Sequence, residues 1–181
     1  MGFELNILDW FQTLHTPVMD KLMTSVTKLG DAGIFWIILT LIFLIIPKMR
    51  QTGVTMAAAL IVDLLLCNVL LKNLVARTRP YDVNTTVELL VAKLRDYSFP
   101  SGHTAASFAS AAALYFAGEK KLWKPALVLA CLIAVSRLYL YVHYPTDVLG
   151  GVVIGIIAGY LGYRLVKVLE DKFSRMKNGG E

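Results

Sequence analysis

The run TGVTMAAALIVDLLLCNVLLKNL, residues 52–74, holds only two charges, Asp63 and Lys72, in 23 positions. A helix needs about 20 apolar residues to cross the hydrocarbon core of a bilayer, with a range near 17–25. No period-two alternation runs through it, and an open strand cannot satisfy its backbone in lipid, so the stretch predicts a membrane-spanning helix. Four further apolar stretches surround it: residues 33–46, ending at Pro47, then 104–117, 125–142 and 148–165. The first and third of the five are short for a crossing and are expected to borrow a turn from their flanks. The reading is an all-α integral membrane protein of about five transmembrane helices, preceded by short amphipathic surface helices.

Composition agrees. Of 181 residues, 56% are hydrophobic and 17% charged, against about 45–50% and about 25% in ordinary soluble domains. The mean hydropathy is +0.60. A soluble domain of this size has too little interior to hide that much apolar surface. The net charge of +5 does not point to nucleic acid, because much of it lies in short segments between apolar runs. Cys67 and Cys131 both sit inside apolar runs, where a disulfide is not demanded. The start, MGFELNILDW, lacks a basic region followed by an apolar one, so no cleavable signal peptide is expected.

Five spans place three connecting segments on one face: Lys48 and Arg50; Lys120, Lys121 and Lys124; and Arg164, Lys167, Lys172, Arg175 and Lys177. They hold ten of the eighteen Lys and Arg residues, which makes that face cytoplasmic by the positive-inside rule. Residues 1–30 are then an interfacial segment, read as two amphipathic helices broken at Pro17. A sixth span is the rival, burdened by Asp9, His15, Asp20 and Lys21. One domain is expected, with a transmembrane core over 33–169, a cytoplasmic tail over 170–181, and a frayed end at Asn178-Gly179-Gly180-Glu181.

Helices that alternate direction bring four polar clusters to the other, extracytoplasmic face. Lys72, Arg77, Arg79 and Pro80 close the second stretch, and Pro100-Ser101-Gly102-His103 opens the third. Ser136-Arg137 ends the fourth, and His143 and Asp147 bracket the turn into the fifth. Each has a plain structural reading: snorkelling cations, a Ser101 N-cap, an interfacial His143, an Asp147 cap. Their convergence favours a phosphate site. Phosphoryl transfer is largely positioning and charge neutralisation. Lys72, Arg79 and Arg137 supply cations, and the Ser101-Gly102 turn aims free N–H groups and a helix N-terminus at an anion. His143 is the candidate nucleophile, Asp147 its orienting partner and His103 the general acid. These roles predict a bell-shaped dependence of rate on pH. Two histidines and few acids do not make a two-metal cage, so neither metal nor cofactor is expected.

At these positions the chain resembles the type 2 phosphatidic acid phosphatase superfamily. Lys72, six residues, Arg79-Pro80 matches its first signature; Pro100-Ser101-Gly102-His103 the second; Ser136-Arg137, five residues, His143, three residues, Asp147 the third. The match covers residues 72–147, and the five-span layout fits the small bacterial members. The resemblance implies a helical membrane core, a phosphohistidine intermediate on His143 and no metal. It also implies phosphate binding by Lys72, Arg79, Ser101, Gly102 and Arg137. Soluble vanadate-dependent haloperoxidases share the signatures, but five apolar spans argue against that branch.

Asp63 and Asn68 inside the second stretch are functional suspects or a helix–helix hydrogen bond, with Asn68 one turn from Lys72. Tyr81, Tyr97, Tyr139, Tyr141 and Tyr144 read as an interfacial belt. Val87–Leu94 is expected to form a short helix over the site that helps admit a lipid tail. Membrane lipids are the expected partners. Undecaprenyl pyrophosphate, phosphatidylglycerophosphate and phosphatidic acid all fit as substrates, with the first favoured by likeness to members acting on it. A lipid phosphotransferase and a non-catalytic phospholipid binding or transport protein are the rival functions.

Overall fold

A computed structural model describes residues 2–178; the expectation of a frayed end at residues 179–181 lies outside the described residues. Every regular element among the described residues is helical: α1 (Gly2–Gln12), α2 (Pro17–Lys28), α3 (Ile34–Ile45), α4 (Arg50–Asp63), α5 (Lys72–Val75), α6 (Pro80–Val83), α7 (Gly102–Phe116), α8 (Trp123–Tyr139) and α9 (Pro145–Asn178). Between α4 and α5 the chain continues as a π-helix, Leu64–Leu71. The five apolar stretches thus become α3, the α4–π–α5 rod, α7, α8 and α9.

By length and composition, Pro47–Val83 and Pro145–Lys177 suffice to cross a membrane, and α2 with the Asp31–Ile45 segment forms a third candidate bent by 43°. α7 and α8, with 15 and 17 residues, are shorter than the roughly 20 residues of a straight crossing.

The core is built by close approach. Gly151, Gly155 and Gly159 stand four apart on one face of α9. A methyl group on Gly151 would lie 2.8 Å from the Ser101 carbonyl, and one on Gly159 2.8 Å from that of Ala109. Small residues let helices pack backbone to backbone where lipid offers no hydrophobic drive. Deeper in the bundle, Trp36 is fully buried and donates its indole N–H to Ser107 Oγ at 3.0 Å. The outward face of α3, with Ile34, Ile38, Leu41 and Ile45, is exposed as a lipid-facing stripe requires.

The break at Pro17 is where the sequence puts it. Thr16 caps α2, its hydroxyl accepting the Met19 N–H at 3.3 Å, and Pro17 takes the first helical position. The polar residues of this region have partners in the bundle. Tyr141 donates to Asp9 at 2.7 Å, Tyr139 to Asp20 at 2.6 Å, and His15 stacks on the Tyr139 ring at 4.4 Å. Leu8 is fully buried. Helices α1 and α2 are therefore docked on the site end of the bundle, α1 near the start of α9 and α2 along α8.

Two expectations need correction. Tyr81, Tyr139, Tyr141 and Tyr144 are buried, and only Tyr97 is substantially exposed. They form an inner aromatic cluster with Leu8, Leu140 and Val142 rather than a lipid-interface belt. Three of the four hydroxyl groups have internal partners, Tyr81 donating to the Leu94 carbonyl at 3.0 Å, Tyr139 to Asp20 and Tyr141 to Asp9, whereas that of Tyr144 has none among the described residues. Val87–Leu94 is not helical. Val87, Leu89 and Val91 pack on the tyrosine cluster while Glu88, Leu90 and Ala92 face outward. That period of two belongs to an extended chain.

Candidate active site

All eight residues singled out in the sequence meet at one end of the bundle. His143 sits on the turn between α8 and α9 and is 1% exposed. Tyr141, two residues earlier, has a φ of +58° that tightens this turn. Arg79 Nη1 stands 3.4 Å from His143 Nε2. Arginine can only donate, so Nε2 carries the lone pair and the ring proton is on Nδ1. Nδ1 faces Asp147 Oδ2 at 3.6 Å, an electrostatic contact longer than a hydrogen bond. Burial pushes the imidazole down to about 3; Asp147 opposes the shift, and the Arg79 and Arg137 guanidiniums reinforce it. The ring is neutral at physiological pH.

Asp147, in the first turn of α9, is fully buried and held on both oxygens. Oδ1 accepts from Arg77 Nη1 at 2.6 Å. Oδ2 accepts from Ser98 Oγ at 2.5 Å and from the Tyr144 N–H at 2.9 Å. Arg77 also donates to Glu4 at 2.6 Å and to Thr146 at 2.7 Å, and lies 3.9 Å over the Tyr144 ring. Its charge is doubly compensated: burial opposes ionisation, but Asp147 and Glu4 raise its proton affinity further. A chain of contacts thus runs from Glu4 on α1 through Arg77 and Asp147 to His143.

The cations form a second group. Arg79 is buried, with Nε donating to the Asp96 carbonyl at 2.8 Å and Nη1 to that of Val142 at 2.7 Å. Nη2 donates to Asp96 Oδ1 at 2.5 Å. Lys72 Nζ pairs with the other Asp96 oxygen. Burial alone would raise the Asp96 carboxyl, yet Lys72 and Arg79 hold it at about 2. One carboxylate therefore bridges the two cations expected to bind phosphate. Arg137 is buried, donates to Thr27 Oγ1, and keeps its Nε without a partner.

The Ser101-Gly102 turn joins these groups. The Ser101 N–H donates to the Asp147 carbonyl at 3.0 Å, and its hydroxyl accepts from Thr104 at 3.0 Å. Gly102 passes so near the rod that an added methyl would lie 3.1 Å from Asn68 Oδ1 and 3.7 Å from Lys72 Nζ. The Nε2 of His103, one residue on, lies 2.8 Å from Asp31 Oδ1.

A cavity of about 620 Å³ opens beside His103, Lys72 and Gly102 and runs between α3 and the α4–π rod, past Leu41, Leu44, Leu60 and Ile61. Asp63 lines it, buried, with Oδ1 unpartnered. Among the described residues Asp63 makes no helix–helix hydrogen bond, and Asn68 lies against Gly102.

Sequence reasoning gave no role to four participants. Arg77 was placed in the polar cluster but given no role, Ser98 was passed over, and Asp96 stands four positions before Pro100 in a loop read for its apolar residues. Asp31 lies just before the first apolar run, outside every motif the sequence offered.

The chain is similar to known proteins in sequence and fold. The sequence profile of the PAP2 superfamily matches residues 52–171. The chain is 31% identical over 159 residues to the undecaprenyl-diphosphatase BcrC of Bacillus subtilis, covering 86% of this chain and 79% of that protein. Its fold matches the crystal structure of Aquifex aeolicus LpxE with a TM-score of 0.78 at 28% identity, over 91% of this chain and 96% of that one. It also matches the first transmembrane PAP2-type phosphatidylglycerolphosphate phosphatase from Bacillus subtilis, with a TM-score of 0.72 at 28% identity, over 94% and 86%. The chain belongs to the PAP2 superfamily, as an all-helical membrane phosphatase.

Proposed function

We propose that the protein hydrolyses a lipid diphosphate, undecaprenyl diphosphate in the first instance, through a covalent phosphohistidine on His143. The observation that carries the mechanism is the His143 ring: neutral, buried, its Nε2 lone pair aimed at the Arg79 guanidinium and its Nδ1 toward a clamped carboxylate. A phosphate drawn among Lys72, Arg79, Arg137 and the first N–H groups of α7 presents its phosphorus to Nε2. To reach both Lys72 and Arg79 it takes the place of Asp96, a half-exposed side chain on a surface loop.

In the first step Nε2 forms the P–N bond, the bond from phosphorus to the lipid-side oxygen breaks, and His103 gives that oxygen a proton. Asp147 offsets the positive charge that develops on the His143 ring. In the second step water attacks phosphorus, its proton passes to His103, the P–N bond breaks and phosphate leaves. Both histidines return to their starting states.

Five helices crossing the membrane, with the site on the extracytoplasmic face, complete the reading. The concentration of Lys and Arg on the opposite connections supports that orientation. The choice of a polyprenyl lipid is supported by the likeness to BcrC and by the apolar cavity that continues from His103 toward α3 and α4.

Purified protein in detergent with chelator should release phosphate from undecaprenyl diphosphate faster than from phosphatidylglycerophosphate or phosphatidic acid. His143→Ala should abolish release, a loss of about 10⁴-fold or more. Labelled phosphate trapped on the protein by acid-sensitive, base-stable linkage should vanish with that substitution. A better rate on a glycerolipid would overturn the substrate, and full activity of His143→Ala would overturn the mechanism.

A further inference from the structure

His103 has its own carboxylate, supplied from a part of the chain that none of the three signatures touches. Asp31 Oδ1 lies 2.8 Å from His103 Nε2. Asp31 opens a short 3-10 turn, Asp31–Gly33, that joins α2 to α3. Two consecutive residues there, Ala32 at φ +50° and Gly33 at φ +66°, are left-handed. For alanine that conformation costs roughly 1–2 kcal/mol, so the turn is held by its surroundings rather than by local preference. The residue before Asp31 is held as closely. A methyl on Gly30 would lie 2.7 Å from His103 Cδ2, so the backbone passes directly against the imidazole. The turn both touches the ring and hydrogen-bonds it.

The charges around His103 give this contact a purpose. Burial, with the Arg137 and Lys72 charges, pushes the His103 imidazole down to about 4, and Asp31, the carboxylate within hydrogen-bonding reach, opposes that shift. An imidazolium placed there faces two like charges and needs a compensating anion. Asp31 is 60% exposed on its side chain, so the carboxylate reaches His103 from the water boundary rather than from the buried core.

We propose that Asp31 is the positioning residue of the general acid, fixing the His103 ring and stabilising its protonated form while the lipid oxygen departs. The inference rests on His103 acting as the acid, as set out above. When the bond from phosphorus to the leaving oxygen breaks, the proton moves from His103 to that oxygen. The water of the second step returns a proton to His103. Asp31 stays a carboxylate throughout.

A leaving group that departs easily as an anion leans little on the acid, whereas an alkoxide, a far stronger base than the lipid phosphate released from a diphosphate, depends on it and so magnifies the contribution of His103. Turnover should therefore be compared on a short-chain alkyl phosphate and on p-nitrophenyl phosphate for the wild type, Asp31→Asn, Asp31→Glu and His103→Ala. Asp31→Asn should lower kcat on the alkyl phosphate by about 10–10²-fold, with kcat on the aryl ester within about 3-fold and KM little changed. Asp31→Glu should restore most of the loss. Asp31 is exposed on a turn, so folding is not at stake, and an unchanged elution profile checks this. Equal losses of Asp31→Asn on both esters, or none on either, would overturn the proposal while a leaving-group-selective His103→Ala left the acid assignment standing. Equal losses of His103→Ala on both esters would overturn that assignment and the proposal with it.

Discussion

Two histidine–aspartate pairs face the same end of the bundle, and they are built in opposite ways. His143 and Asp147 are 2% and 0% exposed on their side chains, whereas His103 and Asp31 are 16% and 60%. Asp147 is gripped by Arg77, Ser98 and the Tyr144 N–H. Among the described residues the Asp31 carboxylate meets only His103, and most of its side chain is exposed. A nucleophile has to hold one tautomer and one direction, which a dry, over-determined setting enforces. An acid has to gain and lose a proton in each cycle, which an open boundary permits. The same pair of residue types is thus given rigidity in one place and access in the other.

Substitutions test that contrast in order of size. Asp147→Asn should be the most damaging of the partners. Its amide can present N–H groups where Nδ1 already carries one, favouring the wrong tautomer at a cost of about 10⁴-fold in kcat, measured by single-turnover phosphate release. A loss no larger than that of Asp31→Asn would erase the distinction between the two pairs. Arg77→Lys keeps the charge but not the fork that reaches Asp147, Thr146 and Glu4 together. Small misplacements of that kind cost up to about 10²-fold, and the loss should fall equally on alkyl and aryl esters because it concerns the nucleophile. A loss selective for the alkyl ester would attach Arg77 to the acid instead. Glu4→Gln lies furthest out. Its pair with Arg77 is partly exposed, and the change should stay under about 5-fold in kcat at any ionic strength. A loss as large as that of Arg77→Lys would mean that α1 is an integral wall of the nucleophile's pocket.

Much of this was legible in the sequence, for physical reasons that also mark its limits. The apolar runs located α3, the α4–π–α5 rod, α7, α8 and α9, because lipid leaves the backbone no alternative to helix. Lys72, Arg79, Ser101, His103, Arg137, His143 and Asp147 could be gathered at one end because alternating helix direction fixes the end at which each lies. The partners of those residues were not legible. Arg77 and Asp96 sit in irregular backbone whose course depends on what it packs against, and Asp31 meets His103 across 72 positions of sequence. The Val87–Leu94 segment misled for a related reason. Its composition suits an amphipathic helix, but the buried tyrosines offer a surface that an extended chain covers with every second residue.

The glycine face of α9 has a consequence for how such a protein fails. The carbonyl of Ser101, in the Ser101-Gly102 turn, lies where a side chain on Gly151 would be, so the turn is placed by the docking of α7 on α9. Each helix can form by itself in lipid, whereas that docking relies on van der Waals contact between segments made far apart in the chain. A detergent or bilayer that loosens the seam by an ångström would leave helical content intact and dissolve the site. Enzymatic turnover is thus a finer gauge of intactness for this protein than any measure of secondary structure.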